Sequence, residues 1–272
     1  MAEITPIPSA TVTLVRDAAG GLEVLMMQRN FNSGFVPGAF VFPGGALDDE
    51  DSTADAYALC AGLTDVEASR ALGIAQGGLA YWAAAIRESF EEAGLLIAYE
   101  AQGRMIALDQ HEVAERFRLH RHALNAGERG LLDILRVEKL MLAADQLVYF
   151  GHWITPVSAP RRYDTRFFAA IAPPAQEPLH DNFETISHVW VRPAAALDRH
   201  RNDDFKMRFP TARTLEEFAA YDSVDALMKA MRAKRDIVVA LPHLTKDGKH
   251  LLVGEPGYDE AIAREQRGQW KI

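Results

Sequence analysis

The sequence predicts a protein of the α/β or α+β class, and three observations lead to that prediction. Short β-branched segments alternate along the 272 residues with segments of helical periodicity. Turn-forming residues separate these segments, but no linker is clean enough to divide the chain. No internal repeat is apparent either. We therefore expect one domain over residues 1–272, and the composition, 49% hydrophobic and 25% charged, is typical of a globular protein.

The chain is expected to begin with a β-hairpin. Residues 10–15 read ATVTLV and residues 22–28 read LEVLMMQ, and both segments are rich in the apolar residues that strands prefer. The residues between them at 17–21 read DAAGG, which is turn chemistry. A third, short strand is predicted over 40–42, where Pro43-Gly44-Gly45 stops it.

Helices follow this opening. The Ala-rich residues 52–77 are expected to be helical in parts. A longer helix is predicted over 79–93, and Gly94 is placed to end it because glycine readily adopts the left-handed conformation that closes many helices. The apolar residues 95–99 favour a returning strand.

The second half of the chain continues the alternation. Helical periodicity extends over residues 110–146. A helix is expected to begin at Pro193, since proline favours the first helical position. The remaining predictions are strands over 147–154, 166–171 and 186–191 and helices over 215–221 and 224–231. From residue 237 onward the pattern favours neither state.

The charge balance and the cysteine count exclude several functional classes. There are 29 Lys and Arg residues against 38 Asp and Glu residues, a formal charge of −9, which argues against a globally basic nucleic-acid binder. The single cysteine excludes an intrachain disulfide framework and a cysteine-rich zinc site. No apolar run approaches about 18 residues and no signal peptide is recognised, so we expect a cytoplasmic protein without a membrane partner.

The helix predicted over 79–93 carries a concentrated set of carboxylates. At 100° per residue, Glu88, Glu91 and Glu92 fall within an arc of about 100°, opposite the apolar face. Glu88 and Glu92 are like charges four positions apart, and the last turn of a helix disfavours negative charge. A divalent cation would reverse both penalties, and carboxylate oxygens suit Mg²⁺ or Mn²⁺. Arg87 lies four positions before Glu91 and can orient its carboxylate.

The residues alone leave a second interpretation of this helix open. Glutamates on one side of an amphipathic helix usually form a solvated face with no ligand. The position of the carboxylates in the last turn, the neighbouring Arg87 and the stop at Gly94 favour a metal site instead.

The same segment resembles a known motif. It reads Arg87-Glu88-Ser89-Phe90-Glu91-Glu92-Ala93-Gly94-Leu95, which is similar to the second half of the Nudix box, G-x5-E-x7-R-E-U-x-E-E-x-G-U with U apolar. Ser89 departs from the pattern at the first U. The first half resembles Gly44-Gly45 followed by Asp51, with Asp in place of the usual Glu and a long insertion before Arg87. Gly73 stands at the uninterrupted spacing, but Leu79 would then occupy the Glu position, and only Gly44-Gly45 follows a strand and a proline as in the family.

The interrupted box resembles one branch of the Nudix hydrolases in particular. That branch contains the mammalian peroxisomal coenzyme A diphosphatase, which also carries an insertion inside its box. The segments HWITP at 152–156 and RRYDTRFF at 161–168 are similar to this branch, as is Glu184 ahead of WVRPAAA at 190–196. The resemblance covers roughly residues 8–235.

The resemblance implies a more specific fold and a reaction. The fold would be an α/β/α sandwich around a mixed β-sheet, with a core over about 8–200. Helical insertions are expected over about 52–78 and 101–145, and a helical C-terminal extension over about 200–272. These helical segments either cap the site, form a homodimer contact or support the core. The reaction would be hydrolysis of the diphosphate in a nucleoside diphosphate linked to another group.

The resemblance also assigns roles to the acidic and glycine residues. Glu88, Glu91 and Glu92 would bind Mg²⁺ or Mn²⁺, and Gly44 or Gly45 would offer a backbone carbonyl. Arg87 would orient Glu91. Glu184 is the candidate general base or an extra ligand, and the alternative for it is an exposed loop carboxylate. Asp51 is expected to serve as a loop-turn and helix-cap residue.

Arginines supply the candidate phosphate contacts. Arg161, Arg162 and Arg166 cluster in an otherwise acidic protein, and guanidinium groups match phosphate oxygens. Coenzyme A carries a 3′-phosphate beyond its diphosphate, which gives an additional basic cluster a purpose. Arg29, at the end of the second predicted strand, is a further candidate. The alternative is that these side chains pair with acids such as Asp164 and Asp181.

The expected function is therefore that of a metal-dependent pyrophosphohydrolase with a small-molecule nucleotide as its partner. Coenzyme A or an acyl-coenzyme A is the first substrate expected. The alternatives are NADH or ADP-ribose, or a Nudix-like sensor that binds a nucleotide without cleaving it. The complete set of three glutamates argues against a sensor, which has no need of a metal site.

Overall fold

The computed structural model describes residues 4–32, 37–181 and 183–267. Its largest sheet has eight strands and mixes parallel and antiparallel pairs, and a three-stranded and a two-stranded sheet accompany it. In chain order the strands are β1 (Ile7–Ala18), β2 (Gly21–Arg29), β3 (Phe40–Val41), β4 (Gly44–Ala46), β5 (Cys60–Ala61), β6 (Ala98–Tyr99), β7 (Met141–Ala143), β8 (Val148–Ile154), β9 (Tyr163–Ile171), β10 (Thr185–Val191), β11 (Val239–Ala240), β12 (His243–Leu244) and β13 (His250–Leu251).

The large sheet is organised around β1. Its order is β10-β2-β1-β9-β8-β11, with β3 beside β2 and β4 beside β1. The end of β1 forms the predicted hairpin with β2, in the register Val15↔Val24. The first half of β1 pairs instead with β4, in the register Ala10↔Gly45. A parallel pairing with β9 runs along its other edge. The glycines of β4 are thereby fixed to the centre of the sheet.

Helices cover both faces of this sheet. In chain order the helices of the described residues are α1 (Ala54–Ala58), α2 (Asp65–Leu72), α3 (Leu79–Ala93), α4 (His111–Asn125), α5 (Leu131–Glu138), α6 (Pro193–Arg201), α7 (Phe209–Phe218), α8 (Val224–Ala233) and α9 (Tyr258–Gln266), the last of which contacts β12. One core cluster packs the helices α2, α3, α4 and α5 against sheet residues such as Leu14 and Met27. The other joins α6, α7 and α8 with Val15 and Met26. Neighbouring strand residues thus point to opposite cores, as the period of two requires.

Several segments differ from the sequence prediction. The strand expected over 95–99 is reduced to β6, which joins β5 of the first insertion and β7 of the second in the three-stranded sheet. The helix expected over 215–221 begins earlier, at Phe209. The C-terminal extension contains β11, which pairs with β8, and the hairpin β12–β13 in addition to its helices. Strands of two or three residues are too short to show a period, so hydrophobic patterning does not detect them.

The first insertion fixes the beginning of α3. Asp65, the first residue of α2, accepts the backbone N–H groups of Gly77 and Leu79, each at 3.0 Å. Ser69 of α2 accepts the N–H of Gly78 at 2.9 Å. These side chains satisfy N–H groups that a helix start leaves without partners, so α2 holds α3 at its N-terminal end. Of the helices in the described ranges, none is both long and apolar enough to cross a bilayer.

Candidate active site

The glycines of β4 lie directly against the carboxylates of α3. The N–H of Gly44 donates to Oε2 of Glu92 at 3.2 Å. A Cβ on Gly45 would stand 2.4 Å from Oε1 of Glu88, and one on Gly44 would stand 2.5 Å from the carbonyl oxygen of Ala10. At Gly44 a side chain would collide with the backbone of β1, and at Gly45 it would displace the Glu88 carboxylate. The structure therefore brings Gly44 and Gly45 to the predicted metal ligands, whereas Gly73 ends α2 with open space around it.

Arg87 is buried at the centre of a hydrogen-bond network. Its Nη1 donates to Glu88 at 2.9 Å and to Glu91 at 3.0 Å. Its Nη2 donates to the carbonyl oxygen of Ala46 at 2.8 Å and to Asp51 at 3.0 Å. The Nε donates to the same Asp51 carboxylate at 3.1 Å. Arg87 thus orients Glu91, as predicted, and it also fixes Glu88 and the strand β4.

Asp51 does more than the loop-turn role expected for it. Its Oδ2 does close a turn, by accepting the N–H of Asp48 at 2.8 Å. Its carboxylate is nevertheless buried, with 4% of the residue exposed, and pairs with Arg87 across 36 positions of sequence. The sequence feature that could have indicated this role is the position of Asp51, which corresponds to the Glu of the first half of the interrupted box. The loop-turn assignment is therefore incomplete. The helix-cap assignment is wrong, because Asp51 lies inside the short helix Glu50–Ser52, whose N-cap is Asp49.

Burial and mutual repulsion raise the pKa values of the site carboxyls. Burial is the main cause for all three glutamates of α3. The pKa of Glu88 rises to about 7, opposed by Arg87 and increased by the charges of Glu91 and Glu184. The pKa of Glu92 rises well above its usual value, increased further by Glu88 and Glu184 and opposed by Arg29. These carboxyls outnumber the cations near them.

This donor set fits a hard divalent cation in its chemistry. Carboxylate oxygens are the ligands that Mg²⁺ and Mn²⁺ prefer, and a cation would relieve the repulsion between Glu88 and Glu92. Within the described part of the chain, no three acidic, His or Cys side chains already surround a single point. Glu91 is held by Arg87 instead. The fit therefore rests on Glu88, Glu92 and a reorientation of Glu91.

Glu184 lies beside the same carboxylates from another part of the chain. It is exposed, immediately before β10. Its carbonyl oxygen accepts the N–H of Asn30 at 2.8 Å, and its own N–H donates to the Asp181 carboxylate at 3.2 Å. Its charge raises the pKa of both Glu88 and Glu92, so its side chain acts on the predicted metal ligands. Its role as base or ligand stays a prediction.

The four candidate phosphate-binding arginines have different surroundings. Arg29, the last residue of β2, is near enough to Glu92 for its charge to oppose the rise in the pKa of Glu92. Arg166 is buried and pairs with Asp164 and His152, which is the alternative considered for it. Arg162 is buried and donates to the carbonyl oxygens of Ile4 and Thr155 at 2.9 and 3.1 Å. Arg161 is exposed, and its guanidinium lies over the ring of Tyr163 at 5.1 Å.

These surroundings divide the group. The structure brings Arg29 to the carboxylates and engages Arg162 and Arg166 in contacts within the protein. Arg161 is the member of the predicted cluster whose side chain is exposed. Phosphate binding by all four stays a prediction, and the contacts favour Arg29 and Arg161 for it.

The raised pKa values predict how stability depends on pH when divalent cations are chelated. Between the unfolded value near 4.5 and about 7 for Glu88, the folded protein binds more protons than the unfolded chain. The contribution of these groups to the free energy of unfolding is therefore fully present below 4.5 and is lost as the pH rises through about 7. Urea unfolding across this range should show that loss in the wild type but not in a Glu88→Gln/Glu92→Gln variant. Identical pH profiles for the two proteins would contradict the prediction.

Comparison with known proteins gives a family and relatives. The NUDT19 Nudix domain family matches residues 67–216. Human acyl-coenzyme A diphosphatase NUDT19 is 29% identical over 281 residues, which cover 89% of this chain and 74% of the human protein. The protein of the same name from Xenopus laevis is 25% identical and is covered over 62% of its length. The chain thus spans less than two thirds of that relative.

A solved structure supports the fold. The NUDIX hydrolase from Alicyclobacillus acidocaldarius is 25% identical, with a TM-score of 0.68, and the match covers 84% of this chain and 97% of that one. The predicted Nudix fold, a mixed sheet between helical layers, is confirmed. Because the family match extends over more than half of the 272 residues, this chain belongs to the NUDT19 Nudix domain family and is a Nudix hydrolase.

Proposed function

We propose that this Nudix hydrolase cleaves the diphosphate of coenzyme A or an acyl-coenzyme A, with the help of a divalent cation. The products would be 3′,5′-ADP and 4′-phosphopantetheine or its acyl form. The observation that carries the proposal is the meeting of Glu88, Glu92 and Glu184 beside the glycines of β4, where burial and the charges of neighbouring carboxylates raise the pKa of Glu88 and Glu92. An excess of buried carboxylate suits a cation that in turn attracts a diphosphate.

The residues of α3 would hold the cation. Glu88, Glu91 and Glu92 are the proposed ligands for Mg²⁺ or Mn²⁺, with the carbonyl of Gly44 or Gly45 as a further oxygen donor. When bound, the cation would screen the phosphate charge and make the attacking water more acidic. Arg87 keeps Glu88 and Glu91 in place through its hydrogen bonds, and so acts on the reaction through them.

Glu184 is the proposed general base, with a role as an extra ligand as the alternative. Its exposed carboxylate would accept a proton from water while the water oxygen forms a bond to one phosphorus atom. The bond from that phosphorus to the bridging oxygen breaks, and the bridging oxygen leaves on the other phosphate product. One water molecule is consumed. Its oxygen becomes part of the phosphate product that was attacked, and its proton is taken up by the base.

The substrate class rests on the relatives and on the arginines. Proteins from Xenopus laevis, Gallus gallus and human that resemble this chain are named acyl-coenzyme A diphosphatases. Arg29 lies near Glu92 and suits the diphosphate, whereas the exposed Arg161 suits the 3′-phosphate. NADH and ADP-ribose lack that 3′-phosphate and should be poorer substrates.

A substrate panel tests the proposal directly. The purified protein is incubated with Mg²⁺ or Mn²⁺ and coenzyme A, an acyl-coenzyme A, NADH or ADP-ribose, and the products are identified by chromatography and mass spectrometry. We expect 3′,5′-ADP from the first two and dependence on the cation. Faster cleavage of NADH or ADP-ribose would show that the preferred substrate is that compound and not coenzyme A or its acyl form. Tight nucleotide binding without cleavage of any compound would indicate the sensor function instead.

Arg161→Ala should distinguish coenzyme A from 3′-dephospho-coenzyme A. Loss of one exposed guanidinium–phosphate contact is worth about 1 kcal/mol, so KM for coenzyme A should rise about 5-fold. KM for the dephospho compound should hardly change. Arg162→Ala is a poor test, because Arg162 is buried against backbone carbonyls and its loss would destabilise the fold. Equal effects of Arg161→Ala on both substrates would remove the 3′-phosphate from its role.

A further inference from the structure

The C-terminal end of α3 is held by residues of the second insertion. A helix leaves its last carbonyls without partners inside the helix. Gly94, in the left-handed conformation, donates its N–H to the carbonyl oxygen of Phe90, and Leu95 donates its N–H to that of Ser89. The carbonyls of Glu91 and Glu92 are instead taken up by side chains from elsewhere. These two residues are proposed metal ligands, so whatever fixes their backbone also fixes the origin of their carboxylates.

Arg121 of α4 supplies most of those contacts. Its Nε donates to the carbonyl oxygen of Glu91 at 2.9 Å, and its Nη2 donates to that of Glu92 at 2.8 Å. Asn125, one turn later on α4, adds a third bond to Glu91 at 3.1 Å. The planar guanidinium thus spans two consecutive carbonyls, a geometry that the single ammonium group of lysine does not reproduce.

The surroundings of Arg121 make its burial energetically unfavourable if the side chain only fills space. It is 6% exposed, and in the described ranges no carboxylate forms an ion pair with its guanidinium. Burial lowers its pKa, while the charges of Asp181, Glu92 and Glu91 oppose that change. Burying a cation that donates only to carbonyl oxygens is unfavourable unless negative charge nearby compensates for the lost hydration. Here the negative end of the α3 dipole and the carboxylates of Glu91 and Glu92 provide that compensation.

Arg121 is also linked to the segment that carries Glu184. Asp181, which acts on the pKa of Arg121, accepts the N–H groups of Glu184 and Thr185. The hydroxyl of Thr185 lies 3.1 Å from the Asp181 carboxylate and 3.4 Å from the carbonyl oxygen of Glu92, and it can donate to either acceptor. The end of α3 and the proposed base therefore share one set of supports, with Arg121 at its centre.

We propose that Arg121 is a positioning residue for the divalent-cation site: it fixes the backbone of Glu91 and Glu92 from the second insertion. The inference rests on the proposed function, because it assumes that these glutamates bind the cation. It also gives the insertion a role. Phe117, one turn before Arg121, packs its ring against Phe90 of α3 at 6.3 Å, which seats α4 on the catalytic helix.

Direct binding of Mn²⁺ tests the proposal without relying on activity. Free Mn²⁺ is measured by electron paramagnetic resonance while the protein is titrated, and urea unfolding is recorded for each variant. Loss of a group that supports metal ligands typically weakens metal affinity 10–100-fold, which is the expectation for Arg121→Ala. Arg121→Lys keeps the positive charge but not the planar guanidinium, so its Mn²⁺ affinity should fall between those of the wild type and Arg121→Ala. Arg118→Ala, on the same helix, removes an exposed arginine whose ion pair is with Glu115, away from the carboxylates of α3, and should bind Mn²⁺ as the wild type does.

The outcomes separate the two proposals. If the wild type binds no Mn²⁺, the proposed function fails. If the wild type binds and a folded Arg121→Ala protein binds equally well, Arg121 is structural and the positioning role is overturned. Should Arg121→Ala fail to fold, Arg121→Lys decides, because it keeps a cation at this position but cannot span the carbonyls of Glu91 and Glu92 as the guanidinium does. A severalfold weaker Mn²⁺ affinity in Arg121→Lys supports the proposal, and an unchanged affinity overturns it.

Discussion

Glu92→Gln is expected to lower turnover by about 1000-fold while leaving the protein folded. A cation that stabilises the transition state is worth several kcal/mol, and about 1.4 kcal/mol corresponds to each factor of ten. Glutamine keeps the size of the side chain and an oxygen that can accept the N–H of Gly44. It removes a buried charge that Glu88 and Glu184 repel. Without divalent cation, the variant should therefore be at least as stable as the wild type.

Two measurements check this expectation together. Initial rates on the preferred substrate give the loss of turnover, and thermal unfolding in the presence of a chelator gives the stability. Glu115→Gln is the matched control, because Glu115 is an exposed glutamate of α4 whose ion pair is with Arg118, and its substitution should leave both quantities unchanged. Turnover near that of the wild type in Glu92→Gln would show that Glu92 is not a metal ligand.

Arg87→Gln is expected to have the largest effect on stability, a loss of about 3–5 kcal/mol in the free energy of unfolding. Removing one partner of a buried ion pair leaves an uncompensated buried charge, and Arg87 serves Asp51, Glu88 and Glu91 at once. The bond to the carbonyl of Ala46, which holds β4, is lost as well. Activity should fall together with stability, because both glutamates lose their orientation.

A double variant isolates the buried pair. Asp51→Asn removes the charge that Arg87→Gln leaves without a partner, so the double variant should be less destabilised than the sum of the two single variants. Arg16→Gln is the control, because the Arg16–Glu23 pair at 2.9 Å is partly exposed and should be worth less than about 1 kcal/mol. Urea unfolding of the four proteins measures the coupling. Strictly additive losses would mean that Asp51 and Arg87 do not depend on each other.

The sequence allowed the helix of the site to be located accurately. The range predicted for it, 79–93, is that of α3, and Gly94 ends it in the left-handed conformation. The apolar periodicity, the glycine stop and the box motif all agreed there, and such agreement between local signals makes a prediction reliable. The preference for Gly44–Gly45 over Gly73 depended on the strand and proline before it, and the contact of Gly44 with Glu92 agrees with it.

Other parts of the site depend on contacts between distant segments. Arg121 lies on a helix whose sequence shows only a polar and an apolar face, and nothing in that pattern indicates which carbonyls it reaches. Arg166 and Arg162 cluster with Arg161 in sequence, but both side chains are buried and form contacts within the protein. The sheet of β5, β6 and β7 joins segments too short to be recognised individually.

The wide separation of Asp51 and Arg87 has a consequence for how the protein folds. In an uninterrupted box the two positions are eight apart, whereas here the pair closes a loop of 36 positions. By the logarithmic dependence of loop-closure entropy on length, that difference costs about 1.3 kcal/mol in chain entropy. The motif is thus a long-range contact, so this region raises the contact order of the chain. The catalytic centre should therefore assemble late, after α1 and α2 have formed and shortened the effective loop.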